Sequence, residues 1–272
     1  GSCGKTSLKE LVGRSLNKIS QATYSPKSFN NKFGVPLSLF NLKQDDDFGV
    51  FEIGMDKKGE IDYLSKIIKP NVGVITNISH AHIKNFKNIN QIALAKSEII
   101  QNIKEGGHLV LNKDDEFYNF HTKIGIKKKL KILCFSLKNK SSTVNLDSIS
   151  KNKFKYKIFI NINKVKTFFY FNSVFENDLK NLLATITIMS IFKDINKLDK
   201  NIFYNHRKTN GRGDIVKIKL SKKFFYLVDE SYNSNPLSLK SALKNFDMIK
   251  INNSKKHLIL GDMLELGKFS KK

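Results

Sequence analysis

Gly1-Ser2-Cys3-Gly4-Lys5-Thr6 sets two glycines ahead of a lysine and a hydroxyl, directly before an amphipathic run. Glycines let backbone N–H groups approach phosphate oxygens, and a helix starting near Thr6 turns its positive end toward them. Lys5 adds a point charge, and the Thr6 hydroxyl can ligate Mg2+. Ser7 continues the loop into the helix. The chemistry that suits these residues is holding a nucleoside triphosphate by its phosphates. The competing reading is an ordinary glycine-rich helix start, where a capping Ser or Thr is common. The long spacing G-x-x-x-x-G-K-[ST] would need an upstream glycine and a strand before Gly1, and both are expected there.

Asp and Glu number 24 against 48 Lys and Arg, so the place of each carboxylate is informative. Glu52 lies at the end of the apolar run Phe48-Gly-Val-Phe-Glu-Ile-Gly-Met55, where ligands sit in open parallel sheets. It is either a Mg2+ ligand across from Thr6 or a carboxylate satisfied by a neighbouring helix. Thr76, Asn77 and His82 follow the next apolar run in the same way, with His80 as the alternative to His82. A single histidine is more often structural than a ligand. Lys96 falls in Ala93-Leu-Ala-Lys-Ser-Glu98, whose small residues allow close approach to a sheet, and by spacing alone it reads as an exposed helix position.

Such groups must be positioned by a frame, and the pattern supplies one. Residues 5–18, 61–68, 89–103 and 179–191 read as helices, and the short apolar runs at 48–55, 72–76, 108–111 and 130–135 read as buried strands. That alternation is the signature of a parallel sheet with crossover helices. Residues 153–162 and 166–171 instead alternate polar and apolar side chains and read as an antiparallel hairpin. Residues 194–210 are polar, without a strong strand, and mark a boundary. Beyond it, strands at 224–229 and 257–260 flank a helix at 236–248. The expected class is α/β: a P-loop-type, mostly parallel sheet with flanking helices and a small antiparallel subregion over 1–207, then the start of a second, Rossmann-like α/β domain over 208–272.

At 272 residues with 40% apolar content, the chain can build a substantial core. A net charge of +24 and a pI near 9.8 would suit a polyanionic partner. The lysines, however, are spread along the chain among asparagine and isoleucine, with almost no arginine, which reads as compositional bias. Cys3 and Cys134 form no framework and fit a reducing cytosol, with Cys134 in the core. No run reaches the roughly 18 apolar residues of a membrane span.

The opening loop, Ser28-Phe-Asn-Asn-Lys-Phe-Gly-Val-Pro36, Phe51-Glu-Ile-Gly54, Thr76-Asn-Ile with Ala81-His82, Ile92 to Ile99, Asp229-Glu-Ser-Tyr-Asn-Ser-Asn-Pro236 and Gly261-Asp-Met-Leu-Glu-Leu-Gly267 together resemble the Mur ligase family. The phosphate loop is shared by many NTPases, whereas the asparagine runs and the last motif are narrow. The resemblance implies an ATP-dependent amide ligase of peptidoglycan precursor synthesis, in the cytoplasm. It would phosphorylate UDP-N-acetylmuramoyl-tripeptide on its terminal carboxylate, and D-alanyl-D-alanine would attack the acyl phosphate. A sibling ligase, or one adding glutamate to folate, is the alternative, and a basic nucleic-acid-binding NTPase is a more distant one.

By the same resemblance, Gly1, Ser2, Cys3, Gly4, Lys5, Thr6 and Ser7 would hold ATP. Thr6 and Glu52 would hold one Mg2+, and His82 a second. Lys96 matches the family's lysine carbamylated by CO2, which turns an ammonium into a carboxylate-like ligand; Lys5, His82 and Lys96 are the implied catalytic set. Asn181 would read adenine, Asp229 bind the ribose and Arg212 reach the phosphates. Ser28, Asn30, Asn31, Asn233 and Asn235 would face the substrates. Glu230 stands where the family usually has a second aspartate. No nucleic acid, no membrane insertion and a monomer are expected. A separate N-terminal domain for the UDP moiety and most of the C-terminal domain are expected outside the sequence, so that the chain alone would not turn over.

Overall fold

The computed structural model describes residues 1–79, 85–152, 155–204, 206, 208, 210–221, 223–232, 234–249 and 255–263. Helix α1 (Lys5–Leu16) buries Leu8, Leu11, Val12 and Leu16 along one stripe, the spacing of an amphipathic helix. A short parallel pair follows, β1 (Ala22–Tyr24) with β2 (Phe48–Val50), Ala22 opposite Phe48. Helix α2 (Gly34–Phe40) lies between them in sequence. Next come α3 (Glu60–Ile68), β3 (Val72–Ile75), α4 (Ile89–Gln101), β4 (His108–Asn112), α5 (Tyr118–Lys127) and β5 (Lys131–Ser136). The first unit ends with β6 (Val144–Asn152), β7 (Lys155–Ile162), β8 (Val165–Phe171) and α6 (Glu176–Met189).

Strands β3 to β8 form one six-stranded sheet in sequence order. The β3–β4, β4–β5 and β5–β6 pairings are parallel, and the β6–β7 and β7–β8 pairings antiparallel. Side-chain alternation distributes β4 between two cores, because successive residues face opposite sides of a sheet. Val110 packs with α1 and α6, while Leu109 and Leu111 join Ile92, Ala93 and Ile100 of α4. Leu182, Leu183 and Ile186 of α6 are completely buried, each worth about 1.5–3 kcal/mol of transfer free energy. The parallel part of the sheet is thereby covered on both faces, which holds the ends of α1 and β3 in place around the phosphate loop.

The second unit pairs β9 (Asp214–Leu220) antiparallel with β10 (Lys223–Asp229), followed by α7 (Pro236–Met248). Among the described residues, α7 buries none of its side chains completely. No helix is long and apolar enough to cross a membrane among the described residues. Cys134 is buried and both cysteines are free.

Several elements differ from the sequence reading. The strand expected over 48–55 stops at Val50, because its partner β1 ends at Tyr24 and the Glu52 amide donates to the Ser25 hydroxyl instead of a ladder. Residues 257–260 form no strand; Ile259 is 96% exposed, so the apolar run has no partner among the described residues. The expected hairpin is a three-stranded antiparallel piece, with β6 added through a register shift between Leu146 and Ser148. Helices α2 and α5 and strands β1 and β9 were not anticipated by the pattern.

Candidate functional site

Gly4 initiates α1 in the left-handed region, at φ 79°, and a Cβ there would stand 3.3 Å from the Asn181 side chain. No side chain caps the first turn of α1 and no acidic residue lies in it, leaving its amides and partial positive charge for an anion. The loop is pinned to the segment after β3. Ser2 donates its amide to the Asn77 carbonyl at 2.8 Å, and Cys3 donates to Asn77 Oδ1 at 2.9 Å. Thr76 Oγ1 donates to the Cys3 carbonyl at 2.7 Å, and the Ser79 amide donates to Ser2 Oγ at 2.8 Å.

Thr6, 2% exposed, donates its hydroxyl to Glu52 Oε2 at 2.7 Å. Asn30 Nδ2 donates to the other Glu52 oxygen at 2.7 Å, and the Ser28 hydroxyl stands 3.2 Å from Thr6 Oγ1. A buried carboxylate held by a hydroxyl and an amide offers hard oxygen donors, the kind Mg2+ takes. Among the described residues no three His, Cys, Asp or Glu cluster at metal-binding range, so a cation here would complete its shell with phosphate and water. Lys96 is 3% exposed and donates to the Gly1 carbonyl at 3.2 Å. The exposed helix position suggested by spacing is therefore corrected. Burial, reinforced by the Lys5 charge, brings the Lys96 ammonium down to about 7.

A cleft of about 930 Å³ opens over this floor. Ser2, Cys3, Gly4, Lys5, Thr6 and Ser7 line it with Ser28, Asn30, Asn31, Glu52 and Asn181. Arg212, Glu230, Tyr232 and Asn235 reach it from the second unit. Arg212 stacks 4.3 Å from the Tyr232 ring centroid and donates to Ser28 Oγ at 3.4 Å. A second cavity, of about 530 Å³, is lined by Lys5, Glu52 and Lys96 together with β2 and β3 residues, including Val50 and Val74.

The expected site residues thus fall into groups. Asp229 is absent from the described lining of the cleft, and its carboxyl is held below the usual range by hydrogen bonds from Ser231. Its neighbour Glu230 does line the cleft, its carboxyl raised by burial against the pull of Lys208. Asn31 Oδ1 accepts from the Phe33 and Gly34 amides just ahead of α2, and Asn235 caps α7, accepting from the Ser238 amide at 2.9 Å. Asn235 also donates to Cys3 Sγ at 3.3 Å, joining the second unit to the phosphate loop. His80, His82 and Asn233 lie outside the described residues. Two groups were missed: the Lys208–Asp178 ion pair at 2.9 Å between the units, and Lys9, buried on α1. The available signal for Lys9 was a cation beside the apolar stripe of the first helix.

A family model described as the Mur ligase middle domain matches residues 1–189. The UDP-N-acetylmuramoyl-tripeptide--D-alanyl-D-alanine ligase of Rickettsia prowazekii is 32% identical over 98% of this chain and 58% of its own length. The protein of that name from Buchnera aphidicola subsp. Baizongia pistaciae is 30% identical over 98% of this chain and 56% of its own. The chain therefore spans somewhat over half the length of these relatives. A crystal structure of MurF from Acinetobacter baumannii superposes with a TM-score of 0.85 at 27% identity, covering 99% of this chain and 57% of that one.

Proposed function

The chain belongs to the Mur ligase family, and on that footing we propose that it is the ATP-binding part of an ATP-dependent amide ligase. The ligase joins D-alanyl-D-alanine to UDP-N-acetylmuramoyl-tripeptide in peptidoglycan precursor synthesis. Residues 1–207 are the middle domain and 208–272 the start of the C-terminal one. The observation that carries this reading is the buried Thr6–Glu52 pair directly below an uncapped helix N-terminus. Its supports are the family match and the relatives named above.

In the proposed reaction the tripeptide carboxylate takes the terminal phosphoryl of ATP. The D-alanyl-D-alanine amine then forms the C–N bond as phosphate leaves. Lys5 and the α1 amides counter the phosphate charge. Mg2+ bound by Thr6 and Glu52 would supply further neutralisation of the transferring group. Lys96, with a pKa of about 7, is substantially neutral at physiological pH. Its amine can attack CO2, forming an N–C bond and releasing one proton, and the anionic carbamate would give a second ion, shared with His82, an oxygen donor. Asn181, Arg212 and Asp229 are assigned to the nucleotide. Ser28, Asn30, Asn31, Asn233 and Asn235 are assigned to the two substrates. Closing the second unit over the cleft excludes water from the acyl phosphate. We place the protein in the cytoplasm, as a monomer that uses neither nucleic acid nor a membrane.

The test is phosphate release by the complete protein with ATP, Mg2+ and UDP-N-acetylmuramoyl-tripeptide. Release should depend on D-alanyl-D-alanine. Release that needs a single amino acid instead identifies a sibling ligase.

A further inference from the structure

Lys9 lies on α1 beside the apolar stripe, yet it is 3% exposed and carries a charge. Its ammonium spends its protons on three acceptors. They are Glu10 Oε1 at 2.6 Å, the Ser25 carbonyl at 2.6 Å and the Lys27 carbonyl at 2.9 Å. Two of these are backbone groups of the turn that follows β1. Without the ammonium both carbonyls would lose a buried donor, a cost that natural structures avoid. The Glu10 carboxylate that neutralises the charge is itself shared with Arg14 at 3.4 Å.

That turn is the start of the segment that reaches the cleft. Lys27 adopts a left-handed φ of 46°, which turns the chain back so that Ser28 Oγ meets Thr6 Oγ1 at 3.2 Å. Two residues on, Asn30 donates to Glu52, and its carbonyl accepts from the Gly54 amide at 2.7 Å. At the other end, the Ser25 hydroxyl accepts from the Glu52 amide at 3.2 Å. The segment is therefore tied by these three hydrogen bonds to the Glu52 strand end, and to the helix that carries the phosphate loop by the Ser28–Thr6 hydroxyl contact and the two carbonyl bonds of Lys9. A non-glycine residue in the left-handed region persists only where its surroundings impose it. The carbonyls on either side of that turn point at one cation.

We propose that Lys9 is a positioning residue: its buried ammonium gathers the Ser25 and Lys27 carbonyls and so sets the 25–31 segment, with Ser28, Asn30 and Asn31, at its height above the phosphate loop. It acts through that segment and touches neither nucleotide nor substrate. In the ligase proposed above, on which this role rests, Lys9 couples nucleotide-binding helix and substrate-facing segment, so its loss falls on the acceptor substrate and spares ATP.

The experiment compares the complete protein with Lys9→Met, Lys9→Arg and the double variant Lys9→Met with Glu10→Gln, which removes the partner carboxylate as well. In Lys9→Met, hydrogen exchange of the 27–31 amides should accelerate about tenfold or more while the six-stranded sheet keeps its protection. The KM for UDP-N-acetylmuramoyl-tripeptide should rise at least about tenfold, with Mg-ATP affinity held within about twofold. Lys9→Arg, which keeps the charge, should recover part of the loss. Unchanged exchange at 27–31, or an equal decline in both affinities and in melting temperature, overturns the proposal. If Lys9→Met does not fold, the double variant gives the same comparison without an orphaned carboxylate. A wild-type protein that shows no D-alanyl-D-alanine-dependent turnover sinks the ligase reading instead, and the exchange data still decide the role of Lys9.

Discussion

Glu52 shows what a single residue contributes when its direct hydrogen-bond donors are uncharged. Its two oxygens are each held by an uncharged donor, from Thr6 and from Asn30, so the negative charge itself stays available to a cation. Glu52→Gln keeps the shape and removes that charge; turnover of the complete protein should fall about a hundredfold or more, with a raised Mg2+ requirement. Little change in melting temperature is expected, and an undiminished rate would overturn the metal role proposed for Glu52. His121 makes a second residue-scale case. It is buried with Nε2 3.2 Å from the Ala93 carbonyl, and burial lowers its pKa from 6.5 to about 4. Because the unfolded chain binds this proton more readily, stability is full above pH 6.5 and is lost as pH falls toward 4, by up to about 3 kcal/mol. Urea midpoints between pH 7.5 and 4.5 measure the loss, and His121→Gln, which keeps a donor, should flatten it. Residue types and spacing singled out Thr6, because the loop chemistry is local, and Glu52, because it ends a buried apolar run; Lys96 read as exposed by spacing and entered only through the family resemblance. Spacing alone did not show that Asn31 and Asn235 also accept backbone amides, since holding an amide and contacting a substrate use the same side chain and only the fold shows which amides stand nearby.

At the scale of elements, the packing of α1 decides how the phosphate loop meets β1. Gly13 lies on the buried side of α1, and a Cβ there would come within 2.4 Å of the Tyr24 ring. In an exposed helix Gly→Ala gains about 1 kcal/mol, but a forced shift of a packed ring costs about 1–3 kcal/mol. The clash should win: Gly13→Ala should lower the melting temperature and loosen the loop after Tyr24. A higher melting temperature would mean that the ring moves freely. The same packing logic separates what the pattern revealed from what it concealed. The buried parallel strands β3, β4 and β5 are short apolar runs between helical repeats, and α4 and α6 carry long periodic stripes. Strand β6 escaped notice because Val144-Asn-Leu-Asp-Ser-Ile alternates only across its bulge. Residues 257–260 have the composition of a strand, but pairing needs a neighbour, and none of the described residues supplies one.

For the whole molecule the open matter is the net charge of +24. The fold gathers part of it on the antiparallel end of the sheet, where the Lys155 ammonium stands 3.7 Å from the Tyr170 ring centroid and that of Lys157 3.9 Å from Phe168. Lys166 beside them is paired with Asp147 at 2.6 Å. Interleaved lysines and aromatics suit a single-stranded nucleic acid only if bases can stack on open rings. Here the lysines cover ring faces, so the same contacts that localise the charge remove the stacking surface. What is left is a delocalised attraction to phosphate, which counterion release makes steeply salt-dependent. The units are meanwhile joined across the cleft by polar contacts, Lys208 to Asp178 at 2.9 Å and Lys244 to Glu176 at 3.2 Å, which use further cations within the molecule. The complete protein should therefore bind single-stranded DNA at about 50 mM salt and lose it by about 200 mM, without any change in ATP hydrolysis. Binding that persists at the higher salt, or hydrolysis stimulated by DNA, would make the basic face a functional surface and the compositional reading of the lysines wrong.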